Sequence, residues 1–162
     1  MPVISSPRPR VIIVGVDGSS SSIAALQLAA QLVPLAGDVL RAVTVWRHPF
    51  IMSVYTPVDW DEEGSAGECL DAALNEAFPD GLPLGLERRL IHGLPAKVLL
   101  EQSEHATMLV VGSRGHGGFT GLLLGSVSAT VTKHAKCPVL VSHGALELLE
   151  DQDTPAPLGG VL

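Results

Sequence analysis

Five short runs rich in Val, Leu and Ile recur along the chain, and the segments between them carry helical spacing. The runs are RVIIVGV (10–16), DVLRAVTVW (38–46), LGLERRLIHG (84–93), TMLVVG (107–112) and CPVLVSH (137–143). Strands alternating with helices in this way predict a mostly parallel, doubly wound α/β sheet. TMLVVG is apolar throughout, as suits a strand covered on both faces. Glu87, Arg88 and Arg89 in the third run suit a sheet edge, where charge discourages unwanted pairing.

The intervening segments have their own punctuation. SSSSIAALQLAAQLV (19–33) spaces Ile23, Leu26, Ala30 and Val33 helically and offers a serine as N-cap. DEEGSAGECLDAALNEAF (61–78) has acids in its first turn and is stopped by PDG. Pro95 suits the first turn of a helix reaching Ala106, and GSVSATVTKHA (125–135) predicts the last main helix.

A chain of 162 residues suits one domain. It is placed at 11–143, after a flexible 1–10 and before an acidic, Pro/Gly-containing tail at 144–162 whose end is expected to be disordered. The loop at 47–61 is long for this class and carries Phe50, Tyr55 and Trp60, with Trp46 just before it. Such a loop is functional or mobile; packing is favoured over a lid for its aromatics.

No apolar run approaches the roughly 18 residues of a membrane helix, and the first residues lack a signal-peptide pattern, so a cytoplasmic location is expected. A net charge of -7 argues against nonspecific nucleic-acid binding. A single nucleotide stays open, because backbone amides hold phosphates without much positive charge. Cys69 and Cys137 form neither a metal nor a redox motif, and the six histidines show no ligand spacing.

The stretch LVVGSRGHGGFTGLLLGSVSATV (109–131) holds six glycines. It ends an apolar run and opens a helix, where the first amides lack intrahelical partners and the dipole favours anions. Two familiar phosphate motifs are absent: there is no G-x-x-x-x-G-K-[ST], and GVDGSS after the first strand is not G-x-G-x-x-G. The spacing that fits is G-x2-G-x9-G-S, from Gly112 through Gly115 to Gly125 and Ser126.

With VGVDGS, GLPAKVLL, MLVVGSRGHGG and LLGSVSATVTKHAKCPVLV, the chain from Val11 to Ser142 resembles the ATP-binding branch of the universal stress protein family. The resemblance implies a five-stranded parallel sheet in the order 3-2-1-4-5, usually dimerised through the fifth strand (here 138–142). That order puts a topological switch point between strands one and four, where open α/β sheets bind ligands.

The resemblance implies an adenine slot near Val16, Asp17 and the backbone of Val45, with Gly15 ending strand one beside it. Val111, Gly112, Arg114 and Gly115 would flank the ribose and first phosphates. Gly125, Ser126, Val127 and Ser128 would hold the outer phosphates, with Mg²⁺ carried on them. Asp17 followed by GSS also reads as a turn and helix cap. Gly117, Gly118 and Gly121 would let the intervening loop move.

The function expected is an ATP-dependent stress sensor or regulator in which nucleotide orders 113–124 for a regulatory protein partner. Slow ATP hydrolysis or autophosphorylation is one alternative, although no convincing base stands out. A nucleotide-independent dimeric interaction module is another, opposed by the intact glycine motif. A related nucleotidyl-transferase reading lacks its H-x-G-H signature.

Overall fold

The computed structural model describes residues 8–33, 37–48, 61–115 and 123–144. In chain order the elements are β1 (Val11–Gly15), α1 (Ser20–Gln31), β2 (Val39–Trp46), α2 (Glu62–Ala77), β3 (Leu86–His92), α3 (Pro95–Ser103), β4 (Met108–Gly112), α4 (Ser126–His134) and β5 (Val139–Ser142). All four strand pairings are parallel, in the order β3-β2-β1-β4-β5. This is the expected doubly wound sheet, with its switch point between β1 and β4.

Residues alternate between two cores. Ile12, Val14, Leu40 and Ala42 face α1 and α2, where Leu26, Leu70 and Leu74 meet them. Ile13, Val43, Leu109 and Val111 face the other side, against Leu99 of α3 and Val131 of α4. Burial on both faces explains why β1 and β4 read as continuous apolar runs.

Local chemistry sets the helix starts. Ser19 is the N-cap of α1, its side chain accepting from the Ser22 N–H, and Asp61 does the same for α2 from Gly64. α3 starts with Pro95 after Leu94. α4, like α3, has no side-chain cap; its N-cap is Gly125, and its first turn holds no acid.

The edge expectation for β3 holds. Glu87 accepts from Arg41 Nε across β2–β3 at 2.8 Å, Arg89 lies 3.3 Å from the same carboxylate, and Arg88 pairs with Asp71. At the same ends of the strands, Arg10 donates its backbone N–H to Asp38 Oδ1 at 2.8 Å and its guanidinium to Oδ2 at 2.6 Å. That clamp ties the residue before β1 to the residue before β2.

Both cysteines are free and half-buried, and burial pushes both thiols above their ordinary range. No helix among the described residues is long and apolar enough to cross a membrane. Phe50, Tyr55, Trp60, the segment 116–122 with Gly117, Gly118 and Gly121, and the tail from 145 lie outside the described residues.

Candidate functional site

β1 ends at Gly15 and β4 at Gly112, and the chain leaves them in opposite directions, to α1 and toward α4. The gap between their carboxyl ends is a crevice of about 350 Å³. That volume is in the range of small-molecule sites. All twelve site residues anticipated from the sequence line it.

One wall is apolar. Val43, Leu99 and Val111, all buried, close it from the side of α3 and α4, with Pro95 at the rim. Gly15 is small because Leu99 leans over it: a β-carbon there would lie 3.0 Å from Leu99 Cδ1.

The opposite wall is a hydroxyl and carboxylate network at the start of α1. Gly18 turns the chain at φ 81°, a conformation favoured by glycine. Asp17 Oδ1 then accepts from the Ser19 N–H at 2.9 Å and from the Ser19 hydroxyl at 2.5 Å. Asp17 thus closes an Asx turn while Ser19 caps the helix, dividing two jobs one carboxylate can do. Ser21 Oγ donates to the Arg114 carbonyl at 2.5 Å, tying α1 to the exit of β4.

The floor brings together both flanks of the glycine stretch. The Ser113 carbonyl accepts from the Gly125 N–H at 2.7 Å and from Ser128 Oγ at 2.9 Å. Ser113 itself donates its N–H to Ser142 at the end of β5 at 2.7 Å. The Ser128 hydroxyl is therefore directed inward to the backbone. Ser126 is exposed at the mouth and begins α4, whose first amides have no side-chain acceptor.

The β2 end completes the site. Val16 donates its N–H to the Val43 carbonyl at 2.8 Å, and its own carbonyl accepts from Thr44 Oγ1 at 2.9 Å. Val45 lines the crevice next to this junction. Arg114 is exposed at the rim, and among the described residues it and Asp17 are the charged side chains of the lining.

Five lining residues were not anticipated: Ser19, Ser22, Val43, Pro95 and Leu99. Val43 was accessible to pattern reading, since it sits two residues from Val45 on the same strand face. The serines gave no signal beyond a helix cap. Away from the crevice, His48 and His92 converge on Trp46, with ring centroids 5.3 and 4.7 Å from it. No three metal-binding side chains gather anywhere among the described residues.

The profile of the universal stress protein family matches residues 9–143. A universal stress protein of Mycobacterium tuberculosis is 34% identical over 145 residues, covering 89% of this chain and 48% of that relative. The chain spans about half the length of the curated relatives it matches. Among solved structures, a universal stress protein in complex with cAMP is 30% identical with a TM-score of 0.60, over 84% of this chain and 98% of that one. One from Archaeoglobus fulgidus in complex with dAMP, 21% identical with a TM-score of 0.58 over 83% of this chain and 97% of that one, shares the fold.

Proposed function

This chain belongs to the universal stress protein family, and from that premise we propose that it binds an adenine nucleotide, ATP with Mg²⁺, in the β1–β4 crevice and acts as a nucleotide-dependent regulator. The observation that carries the reading is the start of α4. Its N-cap is Gly125, no side chain takes its first amides, and they open on a crevice with Arg114 at the rim. Such a helix start attracts phosphate oxygens through unsatisfied N–H groups and the helix dipole. Val45 and Asp17 at the other end of the crevice stand where a base would lie, and Val43, Leu99 and Val111 supply an apolar wall for it.

The donor set suits a cation carried by the nucleotide. Asp17 is the one carboxylate among the described lining residues, it is already engaged by Ser19, and Ser126 places a hydroxyl at the first residue of α4. Mg²⁺ keeps several waters and commonly binds through phosphates with one or two protein oxygens. Bound there, it would neutralise phosphate charge, held mainly by the phosphates and water, with the Ser126 hydroxyl as the protein oxygen at that end.

Regulation requires that nucleotide favour one conformational state over another, since only differential affinity shifts an equilibrium. A regulatory protein partner would read that state. The β5 edge supplies a pairing surface: it is the last strand of the sheet, and Val139, Leu140 and Val141 are half-buried in one copy. Antiparallel pairing of two β5 strands across a two-fold axis would cover that edge in a homodimer.

A second reading, a cyclic or simple monophosphate in place of ATP, is favoured by the 30%-identical relative bound to cAMP. The same experiment judges both. Freshly purified protein is denatured, the released nucleotide is identified by chromatography, and emptied protein is titrated calorimetrically with ATP–Mg²⁺, AMP and cAMP. Preference for ATP supports the first reading and preference for cAMP the second. Protein that is empty and ignores all three overturns both.

A further inference from the structure

The β1–β2 ladder stops at the crevice wall, between the lining residues Val16, Val43 and Val45, and Thr44 bonds to Val16 at its end. The two strands run in register as far as Gly15↔Val43, and Val16 adds a last rung by donating to the Val43 carbonyl. Backbone groups of successive residues in a strand point to opposite neighbours. Val39 and Val43 bond toward β1, whereas Leu40 and Trp46 bond toward β3. Val45 belongs to the first set, so its N–H and carbonyl face the β1 side just where β1 has ended.

A regular parallel ladder would bring the Val45 N–H to the Val16 carbonyl. That carbonyl is taken by the Thr44 hydroxyl instead, at 2.9 Å, with both residues 4% exposed. Among the described residues, no backbone bond joins Val45 to Val16. The buried hydroxyl and the buried carbonyl satisfy each other, as buried polar groups must. The Val45 donor and acceptor are left side by side at the crevice wall.

An adjacent N–H and carbonyl match one edge of 6-aminopurine, which offers an acceptor at N1 and a donor at the exocyclic amine. Hypoxanthine and guanine present the reverse, a donor at N1 and an acceptor at O6. We infer that Thr44 is a positioning residue for base recognition: its hydroxyl takes the Val16 carbonyl out of the ladder and thereby reserves the Val45 N–H for adenine. The inference rests on the adenine-nucleotide reading above and adds a residue and a source of base selectivity to it.

The test uses the full chain as wild type, Thr44→Val and Thr44→Ser, with amide hydrogen exchange at Val45 read by NMR and calorimetric titration with ATP and ITP. In ligand-free wild type the Val45 amide exchanges freely, and ATP slows it. Thr44→Val slows it without ligand, because the Val16 carbonyl now accepts from Val45. The preference for ATP over ITP, roughly tenfold or more in wild type, collapses toward unity in Thr44→Val. Thr44→Ser, which keeps the hydroxyl, restores both properties; a merely structural role would not tie base preference to that hydroxyl. A Val45 amide already protected in ligand-free wild type, or an ATP-to-ITP ratio unchanged by Thr44→Val, overturns the role of Thr44. Wild-type protein that binds neither nucleotide overturns the adenine reading itself, while the exchange data still judge the Thr44 bond.

Discussion

Asp17 and Gly115 come from the ends of two different strands and stand so close that a β-carbon at 115 would lie 2.5 Å from Asp17 Oδ2. The carboxylate is held there by the Ser19 N–H and hydroxyl, so it cannot swing aside without breaking the turn that starts α1. Gly115 is small because the Asp17 carboxylate fills the space a side chain there would take.

Gly115→Val therefore tests the site more than the fold. Residue 115 is exposed, and the added side chain displaces the Asp17 carboxylate or is pushed into the crevice. Adenine-nucleotide affinity should drop at least about tenfold, which is roughly 1.4 kcal/mol. The stability loss should stay within about 0.5–2 kcal/mol, the range for losing one side-chain contact at a helix start. Unchanged affinity would mean that nucleotide does not lie between Asp17 and Gly115.

Two other motif glycines separate cleanly by what surrounds them. At Gly112 a β-carbon would run into the Ser21 hydroxyl and into backbone of α1, with Ser22 N 2.8 Å away. Backbone cannot yield as a side chain can, so Gly112→Ala should cost about 1–3 kcal/mol of stability by overpacking. Gly125 has φ −69° and ordinary 3.6 Å neighbours, so Gly125→Ala should unfold like wild type. If Gly125→Ala nevertheless weakens nucleotide binding, the glycine is there for the ligand. Paired urea melts and ATP titrations of the two variants separate the cases.

Much of the fold is legible in the sequence. β1 and β4 were visible as apolar runs, and β3 as an edge, because burial on both faces and charge on one strand leave direct marks in composition. Strand order was not visible in the runs themselves; it came from the resemblance carried by the glycine stretch. The hydroxyl contacts were hidden for a physical reason. Ser21 reaches the carbonyl of Arg114, 93 residues away, and Thr44 reaches Val16, 28 residues away. Ser and Thr serve equally in caps, strands and loops, so neither residue type announces such a partner. The resemblance implies Ser128 as a phosphate ligand, and in the structure its hydroxyl donates to the Ser113 carbonyl. His48 and His92 meet only because β2 and β3 are neighbours in the sheet.

The β2–β3 edge gives a prediction with a defined sign. The hydrogen bond from Arg41 is the largest influence on Glu87 and, with the nearby Arg89, holds its carboxyl below the ordinary value of 4.5. The folded value lies below the unfolded one, so the interaction stabilises the protein above about pH 4.5 and is lost as pH falls through the folded value. Glu87 is 36% exposed, and solvent screening keeps the contribution under about 1 kcal/mol. Arg41→Gln should lower the urea midpoint slightly at neutral pH. That difference should shrink toward zero below the Glu87 transition, and also shrink in high salt at neutral pH. A deficit independent of pH would assign the effect to lost packing of the Arg41 stem.

Cys69 of α2 senses the charge of Asp17, a lining residue of the crevice. Burial is the larger cause and the Asp17 carboxylate the smaller, and together they push its thiol above the ordinary 9.0. Only the thiolate attacks an alkylating reagent, so the rate of iodoacetamide modification of Cys69 should rise at higher pH than for an unhindered thiol. Asp17→Asn removes the negative charge and should move that profile to lower pH, though not to the ordinary value, because burial remains. The stability sign follows from the raised thiol. Its contribution is complete below the unfolded thiol value and is lost as pH rises through the higher folded one. Mass spectrometry after timed alkylation distinguishes Cys69 from Cys137, which burial also raises but for which Asp17 is not among the causes. An Asp17→Asn profile that shifts equally at both cysteines would show a general loosening of the fold and remove the electrostatic link between Asp17 and Cys69.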